Sequence, residues 1–255
     1  MSARVLCIGG IDSSGGAGLL RDAATLTAMG LESCAAVTAV TAQSDKAVRE
    51  VQLMPPALVA SQIAAACEGP VDAVKIGMLG SAALVDAIAR ALPDRPVVLD
   101  PVLVSSSGRA LLDEGGIAAL LAHLVPRATL LTPNLPELDA LAAALGCSPA
   151  QAIGRLQDSG CGAVLVKGGH DLTPQDATDR LYHRASPVAE FHAPRLDAAL
   201  RGTGCQLASA IAGGLAQGLD MERAVSEAKR RLTARFRASC AATAPEATRG
   251  NMSRA

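Results

Sequence analysis

Hydrophobic positions along the chain form two alternating kinds of run. Short continuous apolar runs bounded by Gly, Pro or Asp are typical of buried strands, and apolar positions three and four apart indicate helices. The predicted strands are Arg4–Gly9, Cys34–Thr41, Val48–Met54, Ala73–Met78, Pro96–Leu99, Thr129–Thr132, Ala163–Lys167 and a hairpin of Arg180–His183 with Val188–His192. The predicted helices are Gly16–Met29, Pro56–Cys67, one capped by Ser81 and ending at Leu92, Ile117–Leu124, Leu135–Leu145, Ala150–Ser159, Gln206–Gln217 and Met221–Arg237.

The alternation of strands and helices predicts an α/β fold. Such repetition favours a mostly parallel central sheet with helices on both faces. No internal repeat or linker divides the 255 residues. We therefore expect a single domain over residues 1–240 and a mobile polar tail over residues 241–255.

Composition narrows the possible partners. The net charge of −1 provides no overall field that would attract nucleic acid or an anionic membrane. The only aromatic residues are Phe191, Phe236 and Tyr182, so a platform for stacking bases is missing. Polar residues or turn signals interrupt every apolar stretch, which argues against a membrane span. We expect a small-molecule ligand, with neither nucleic acid nor membrane as a partner.

The seven cysteines are scattered, odd in number and without a Cys-x-x-Cys pair. This pattern argues against a disulfide framework or a structural zinc site and suits a reducing cytosol. The start of the chain also lacks the layout of a secretory signal. We expect a cytoplasmic protein in which six of the cysteines are small core residues and Cys205 has another role.

The segment Arg201-Gly202-Thr203-Gly204-Cys205 precedes the predicted helix Gln206–Gln217. Two glycines around a hydroxyl residue let the backbone approach a ligand closely, and the following helix offers free N–H groups and a positive dipole end. This arrangement suits a phosphate that gains charge during transfer. The alternative is an ordinary glycine-rich loop that caps a helix and binds no phosphate, since the same sequence would suit it.

Other candidates follow predicted strands, where parallel sheets bind their ligands. Asp100 could hold magnesium directly or through water. Asn134 and Glu137 share one face of a helix start, where they form either a magnesium or phosphate-water site or a simple capping box. Lys167, before a flexible turn, suits a nucleotide phosphate.

The first strand leads into the glycine-rich segment Gly9–Gly18, whose spacing does not match the dinucleotide fingerprint. An NAD-dependent oxidoreductase is therefore disfavoured. Asp22, on the next helix, either points into the cleft to hold a polar substrate or is a solvated carboxylate. Gln43 is either a second polar contact or a loop side chain, and Met78 either lines a pocket or belongs to the core.

Taken in order, these motifs resemble those of the hydroxymethylpyrimidine and phosphomethylpyrimidine kinases of the ribokinase-like superfamily. The matching segments are Gly10–Asp22, Val74–Gly80, Leu99–Val102, Thr132–Glu137, Val166–His170 and Gly202–Cys205. The resemblance extends to about Leu232. It implies a three-layer α/β/α fold, ATP and Mg²⁺ as cofactors, and phosphorylation of hydroxymethylpyrimidine and then of its monophosphate in thiamine biosynthesis.

The resemblance also implies roles for individual positions. Those that look like the pyrimidine pocket are Gly10, Asp22, Gln43, Met78 and the loop from Val102 to Val104. Asn134 and Glu137 resemble a magnesium-organising pair, and Lys167 a nucleotide-phosphate ligand. The positions similar to an anion hole are Gly202, Thr203 and Gly204. Cys205 stands where many sugar kinases carry an aspartate base. Because a helix N-terminus lowers the pKa of a thiol, we expect Cys205 to be a thiolate near neutral pH.

The chain departs from the family pattern near the phosphates. Ala199-Leu200-Arg201 replaces a common Asn-Thr-His, Ser106 stands where many relatives carry a lysine, and a C-terminal Gly-His-Gly segment is not evident. Arg201 is either a bidentate phosphate ligand or a solvated loop arginine. Two alternatives stay open. A kinase of pyridoxal or a related heterocycle is one, because fold and phosphate motifs do not fix the acceptor, and a pyrimidine-binding protein without turnover is the other, because of the departures. We also expect a homodimer.

Overall fold

The strands of the computed structural model form one sheet of nine in the order β3-β2-β1-β4-β5-β6-β7-β8-β9. The structure describes residues 2–44, 46–105, 108–170, 176–183, 186–196 and 200–243. The strands are β1 Arg4–Asp12, β2 Glu32–Gln43, β3 Val48–Leu53, β4 Ala73–Ile76, β5 Val97–Leu99, β6 Leu130–Leu131, β7 Ala163–Val166, β8 Asp179–His183 and β9 Ser186–Phe191. The helices are α1 Gly18–Thr27, α2 Pro56–Ala66, α3 Ala82–Ala91, α4 Glu114–Ala119, α5 Leu135–Ala144, α6 Pro149–Asp158, α7 Thr203–Ala216 and α8 Met221–Thr243.

Six neighbouring strands, from β2 through β1, β4, β5 and β6 to β7, are parallel. The strands β3, β8 and β9 join antiparallel at the two ends of the sheet. The predicted α/β class and mostly parallel sheet are therefore confirmed. The carboxyl ends of the parallel strands all lie at one edge, where the site described below is built.

Helices cover both faces of the sheet and give three layers. Leu6 and Ile8 of β1 belong to a core packed under α2 to α6, whereas Val5 and Cys7 of the same strand belong to a core packed under α1, α7 and α8. This division follows from the alternation of side chains along a strand. A strand covered on both faces reads as a continuous apolar run, which explains why the sequence pattern located these strands well.

Several element boundaries differ from the predicted ones. Strand β1 continues past Gly9 to Asp12, because an irregularity between Gly9 and Gly10 shifts its register without ending the pairing with β2. Helix α4 begins early, where the Asp113 side chain accepts a hydrogen bond from the Gly116 amide (2.8 Å). It passes into a π-helical turn over Leu120–Leu124.

The last helix extends beyond its predicted end. Helix α8 passes Arg237 and continues to Thr243, so residues 241–243 are helical rather than part of a tail. Residues 244–255 of the predicted tail lie outside the described residues, as do residues 184–185 between the two strands of the confirmed hairpin. In the part of the chain that the structure describes, no helix is long and apolar enough to cross a membrane.

All seven cysteines are free. The expectation that six of them are core residues holds for four: Cys7 and Cys161 are buried, and Cys34 and Cys147 are partly buried and pack against the core. It is wrong for Cys67, which is exposed, and Cys240 on α8 is partly exposed. Cys67 follows the last turn of α2, at the protein surface.

Candidate active site

One cavity of about 780 Å³ lies at the carboxyl edge of the parallel strands. The strand ends are held in step by backbone hydrogen bonds, for example from the Asp100 amide to the Ile76 carbonyl (2.8 Å) and from the Lys167 amide to the Pro133 carbonyl (2.8 Å). Every candidate site residue from the sequence lines this cavity: Gly10, Asp22, Gln43, Met78, Asp100, Val102, Val104, Asn134, Glu137, Lys167, Arg201, Gly202, Thr203, Gly204 and Cys205.

Lys167, at the end of β7, joins two carboxylates from neighbouring strand ends. Its Nζ lies 2.7 Å from Asp100 Oδ1 and 3.7 Å from Glu137 Oε2. Burial opposes the lysine charge, but the two carboxylates outweigh burial and raise the pKa of the Lys167 ammonium above its ordinary value. The lysine is therefore a permanent cation at the wall of the cavity.

Glu137 has an unusual protonation equilibrium. Burial raises its pKa to about 7, with Lys167 acting to lower it and Asp100 to raise it. The Glu137 carboxylate also accepts a hydrogen bond from the Asn134 amide (2.8 Å), while Asn134 Oδ1 accepts one from the Glu137 amide (2.8 Å). The capping box is thus present, and it holds the Glu137 carboxylate at the cavity.

The donors at this end of the cavity suit a hard cation. Asp100 and Glu137 offer carboxylate oxygens, and Mg²⁺ takes one or two carboxylates together with waters and substrate phosphates. Among the described residues, no cluster of three or more His, Cys, Asp or Glu forms an all-protein metal cage. The residues present thus fit a magnesium ion that arrives with a nucleotide.

The loop before α7 brings backbone N–H groups to the same place. Gly202 is the residue before the helix and has a left-handed φ of 68°, which favours glycine. A Cβ on Gly204 would lie 3.4 Å from Lys167 Nζ and 3.5 Å from Asp100 Oδ2. The N–H groups of the first helical turn, which have no acceptor within the helix, therefore start close to the lysine and the carboxylate.

Cys205, in the first turn of α7, does not have the predicted ionisation. Burial raises the pKa of its thiol above the ordinary value, and the nearby carboxylates of Asp22 and Asp100 raise it further, whereas Lys75 lowers it. The expectation of a thiolate near neutral pH is wrong, because desolvation and two carboxylates outweigh the helix N-terminus and one cation.

Asp22 is at the floor of the cavity, on α1, and it is not solvated. Lys75 of β4 places its Nζ 3.0 Å from Asp22 Oδ1 and 2.9 Å from Oδ2, and Ser209 Oγ donates to Oδ1 (2.7 Å). The side chains of this pair are 1% and 0% exposed. The carboxylate that the sequence assigned to a polar substrate is therefore already held by a buried lysine.

Another part of the cavity has an apolar wall. A Cβ on Gly10 would lie 2.9 Å from Met78 Sδ, so the methionine sulfur packs directly on the glycine. Val104, 51% exposed, stands in a short hairpin-like loop that pairs with Ala110 and borders the opening. Ser106 of this loop lies outside the described residues.

Gln43 ends β2 beside this wall. Its amide donates to Ser13 Oγ (2.9 Å), and its side-chain Oε1 accepts from Thr41 Oγ1 (3.3 Å). A glycine, a methionine, a glutamine and two valines thus surround a space where a flat ring would lie on aliphatic and sulfur surfaces rather than on aromatic ones.

The structure contradicts one of the two sequence interpretations of Arg201, and its role as a phosphate ligand stays a prediction. It is not a solvated loop arginine, because its side chain is 15% exposed and its Nη2 lies 2.9 Å from Asp12 Oδ2. Its Nη1 donates to Ser14 Oγ (2.7 Å). The guanidinium therefore joins the loop after β1 to the loop before α7.

The sequence analysis missed five charged residues of the cavity wall: Asp12, Lys75, Asp179, Arg195 and Lys229. Lys229 Nζ lies 2.7 Å from Asp179 Oδ2, and Asp179 Oδ1 accepts from the Gly168 amide (3.0 Å), next to Lys167. Lys75 was detectable, because a lysine inside the apolar strand Ala73–Ile76 needs a buried partner. Asp179 and Lys229 carry no such signal.

The solved structures similar to this chain include kinases. The chain is similar to phosphomethylpyrimidine kinase from Clostridium difficile 630, with a TM-score of 0.78 and 32% identity over 92% of this chain and 100% of that chain. It is also similar to the pyridoxal kinase from Staphylococcus aureus in complex with AMP-PCP and pyridoxal, with a TM-score of 0.80 and 27% identity over 91% of this chain and 87% of that chain. Fold and site together define a kinase of the ribokinase-like fold.

Sequence comparison narrows this class. A family model described as phosphomethylpyrimidine kinase matches residues 12–250. The hydroxymethylpyrimidine/phosphomethylpyrimidine kinase of Rhizobium meliloti is 39% identical over 237 residues, which are 90% of this chain and 88% of that protein. The thiamine biosynthesis bifunctional protein ThiED of Geobacter sulfurreducens is 43% identical over 91% of this chain, which spans only 49% of that protein. The chain belongs to the phosphomethylpyrimidine kinase family.

Proposed function

We propose that this kinase transfers the γ-phosphoryl group of ATP to the hydroxymethyl group of hydroxymethylpyrimidine, and then transfers a second one to the resulting monophosphate, in thiamine biosynthesis. One observation carries the proposal: a single cavity joins the apolar wall at Gly10 and Met78 to the phosphate end at Lys167 and Gly202–Gly204. An acceptor at one end and a nucleotide at the other would meet at Cys205. Relatives named for both acceptors support it.

The residues of the phosphate end supply charge where the transfer needs it. Phosphoryl transfer depends mainly on positioning and on stabilising charge on the transferred oxygens. Lys167 and the first N–H groups of α7 would contact those oxygens. Asp100 and Glu137 would hold Mg²⁺, directly or through water, and the bound ion supplies further positive charge to the nucleotide phosphates.

In the first step, the hydroxymethyl oxygen forms a bond to the γ-phosphorus while the bond from that phosphorus to the β,γ-bridging oxygen breaks and ADP leaves. The proton of the hydroxyl passes to Cys205 in the minor fraction of molecules whose thiol is ionised, because the raised thiol pKa keeps most of it protonated near neutral pH. In the second step the nucleophile is a phosphate oxygen that is already anionic, so it needs no base. One site can therefore catalyse both steps, although only the first step needs Cys205 as a base.

Steady-state kinetics test the proposal. Purified protein would receive ATP and Mg²⁺ with hydroxymethylpyrimidine, its monophosphate or pyridoxal, and kcat/KM would be measured for each. We expect turnover of both pyrimidines, and its loss when EDTA removes Mg²⁺. Turnover of pyridoxal alone would contradict the proposed acceptor, and ligand binding without ATP consumption would indicate a binding protein. The assembled Lys167, Asp100 and Glu137 argue against that last alternative.

The homodimer and the cytoplasmic location remain predictions from the sequence. Sedimentation velocity at several concentrations would decide the oligomeric state.

A further inference from the structure

The loop after β1 is organised around one carboxylate, Asp12, which is 4% exposed. Its Oδ1 accepts from the Ser14 amide (2.9 Å) and from Ser14 Oγ (2.8 Å), and its Oδ2 accepts from the Ala17 amide (2.9 Å). The fourth partner comes from a distant part of the chain: Arg201 Nη2 donates to Oδ2 (2.9 Å). A single carboxylate thus ties Ser14 and Ala17 of its own loop to Arg201.

Arg201 in turn belongs to the loop that forms the anion hole. Its guanidinium reaches back to Asp12 and Ser14, and its backbone carbonyl accepts from Arg235 Nη2 (3.1 Å). Arg235 Nη1 also donates to Gln206 Oε1 (2.7 Å). The residue before Gly202 is therefore fixed by its side chain to the first loop and by its backbone to α8.

Two glycines allow the loops to touch. A Cβ on Gly202 would collide with the Gly16 carbonyl oxygen, and a Cβ on Gly16 would lie 3.0 Å from Arg201 Nη1. The first loop also returns to the acceptor wall, because a Cβ on Gly18 would collide with the carbonyl oxygen of Gly10. A shift of the first loop would therefore change the distance between Gly10 and the anion hole.

We propose that Asp12 and Arg201 form a strap that sets the distance between the acceptor wall and the anion hole, with Arg201 as a positioning residue rather than a phosphate ligand. This inference rests on the proposed function, since it concerns the same transfer. Two N–H donors of the guanidinium already bind Asp12 and Ser14. A misplacement of about 1 Å can cost on the order of 100-fold in rate, so a strap of this kind acts mainly on kcat.

Three variants test the strap: Asp12→Asn, Arg201→Ala and Arg201→Lys. We expect Asp12→Asn and Arg201→Ala to lower kcat by roughly 10- to 100-fold for both pyrimidine acceptors, with the KM for ATP nearly unchanged. The double variant should lose no more than the worse single variant, because both changes break one connection. Arg201→Lys keeps the charge beside Asp12 without the fork to Ser14 and should be intermediate.

The matched control is Arg180→Ala. Arg180 Nε and Glu190 Oε1 also form a 2.9 Å ion pair, but both side chains are more than 40% exposed, so kcat should not change. The alternative, in which Arg201 binds phosphate, predicts a different pattern. Arg201→Ala would then raise the KM for the monophosphate alone, and Asp12→Asn would leave that KM unchanged. That pattern would overturn the strap.

A second measurement needs no turnover. Hydrogen exchange of the ligand-free protein should become faster over residues 14–18 and 202–206 in Arg201→Ala and in the isosteric Asp12→Asn. Unchanged exchange in both variants, with normal turnover by the wild type, would overturn the strap and leave the proposed function intact. Faster exchange in a protein that phosphorylates neither pyrimidine would support the strap and contradict the proposed function.

Discussion

Cys205 lies between opposing charges, and the balance keeps its thiol protonated. Lys75 favours the thiolate, while burial, Asp22 and Asp100 oppose it. The first phosphorylation must remove a proton from an alcohol and the second must not. Replacing Cys205 by Ala should therefore lower kcat for hydroxymethylpyrimidine by about 100-fold, and kcat for the monophosphate by no more than about threefold.

Single-turnover reactions with each acceptor would measure this difference, with Cys67→Ala as control, because Cys67 is exposed and does not line the cavity. Equal losses in both steps would mean that Cys205 positions the acceptor and is not the base.

The raised thiol pKa also predicts a pH dependence. Only the thiolate accepts a proton, and its fraction grows about tenfold per pH unit below the pKa. The kcat for hydroxymethylpyrimidine should therefore rise steadily from about pH 7 to pH 9, whereas kcat for the monophosphate should not follow this limb. A profile that is flat for the first step would argue against proton transfer to Cys205.

Glu137 predicts a pH dependence of stability. Its folded pKa is about 7, against about 4.5 for an unperturbed glutamate, with burial as the main cause. Between these two values the folded state keeps a proton that the unfolded state has lost, so ligand-free stability falls as pH rises through this window. Glu137→Gln should remove this part of the slope.

The measurement is urea unfolding of both proteins without nucleotide or metal, at several pH values from about 4.5 to 7. The difference between wild type and Glu137→Gln isolates the glutamate from other titrating groups. The same slope in both proteins would mean that Glu137 is ionised in the fold throughout this range.

At the scale of elements, the buried pair between α1 and β4 holds the floor of the site. Lys75→Met would leave the Asp22 carboxylate buried with only Ser209 as a neutral partner. We expect a loss of about 3–5 kcal/mol in the free energy of unfolding, which Asp22→Asn should partly recover in the double variant.

Chemical denaturation would measure this loss. Arg180→Ala, at an exposed pair, is the control and should cost less than about 1 kcal/mol. A loss of similar size for both variants would show that Asp22 stays well solvated or protonated without Lys75.

The helices and strands show how much of the fold the hydrophobic pattern of the sequence predicts. The buried strands and the amphipathic helices were predicted with small boundary errors, because periodicity reports burial directly. The extension of β1 to Asp12 was not predictable, since glycines break the apolar run while pairing with β2 continues. The extension of α8 to Thr243 was missed because a polar, small-residue helix end resembles a tail.

The sequence predicted the site residues whose role depends on neighbours along the chain. It did not predict the contacts that join residues from distant segments. The Asn134–Glu137 capping box and Lys167 follow from residue type and position at a strand end. The partners of Asp22, Glu137 and Arg201 come from distant segments, for example 189 residues away for Asp12 and Arg201. The wrong expectation for Cys205 arose in this way, because its pKa depends on burial and on charges that the helix pattern does not reveal.

At the scale of the whole molecule, one sheet edge joins an apolar acceptor wall to a charged phosphate end. That continuity is the basis for two successive transfers at one site. The cavity of about 780 Å³ has room for a small heterocycle and a nucleotide, so its size excludes neither a pyrimidine nor pyridoxal as the acceptor. The identity of the acceptor and the number of transfers therefore decide whether the proposed function is right.

The most direct test is a mass-resolved time course with hydroxymethylpyrimidine as the sole acceptor and excess ATP and Mg²⁺. We expect the monophosphate to appear first and then to be converted to the diphosphate by the same protein. No phosphorylated pyrimidine, under conditions where the protein phosphorylates pyridoxal, would contradict it.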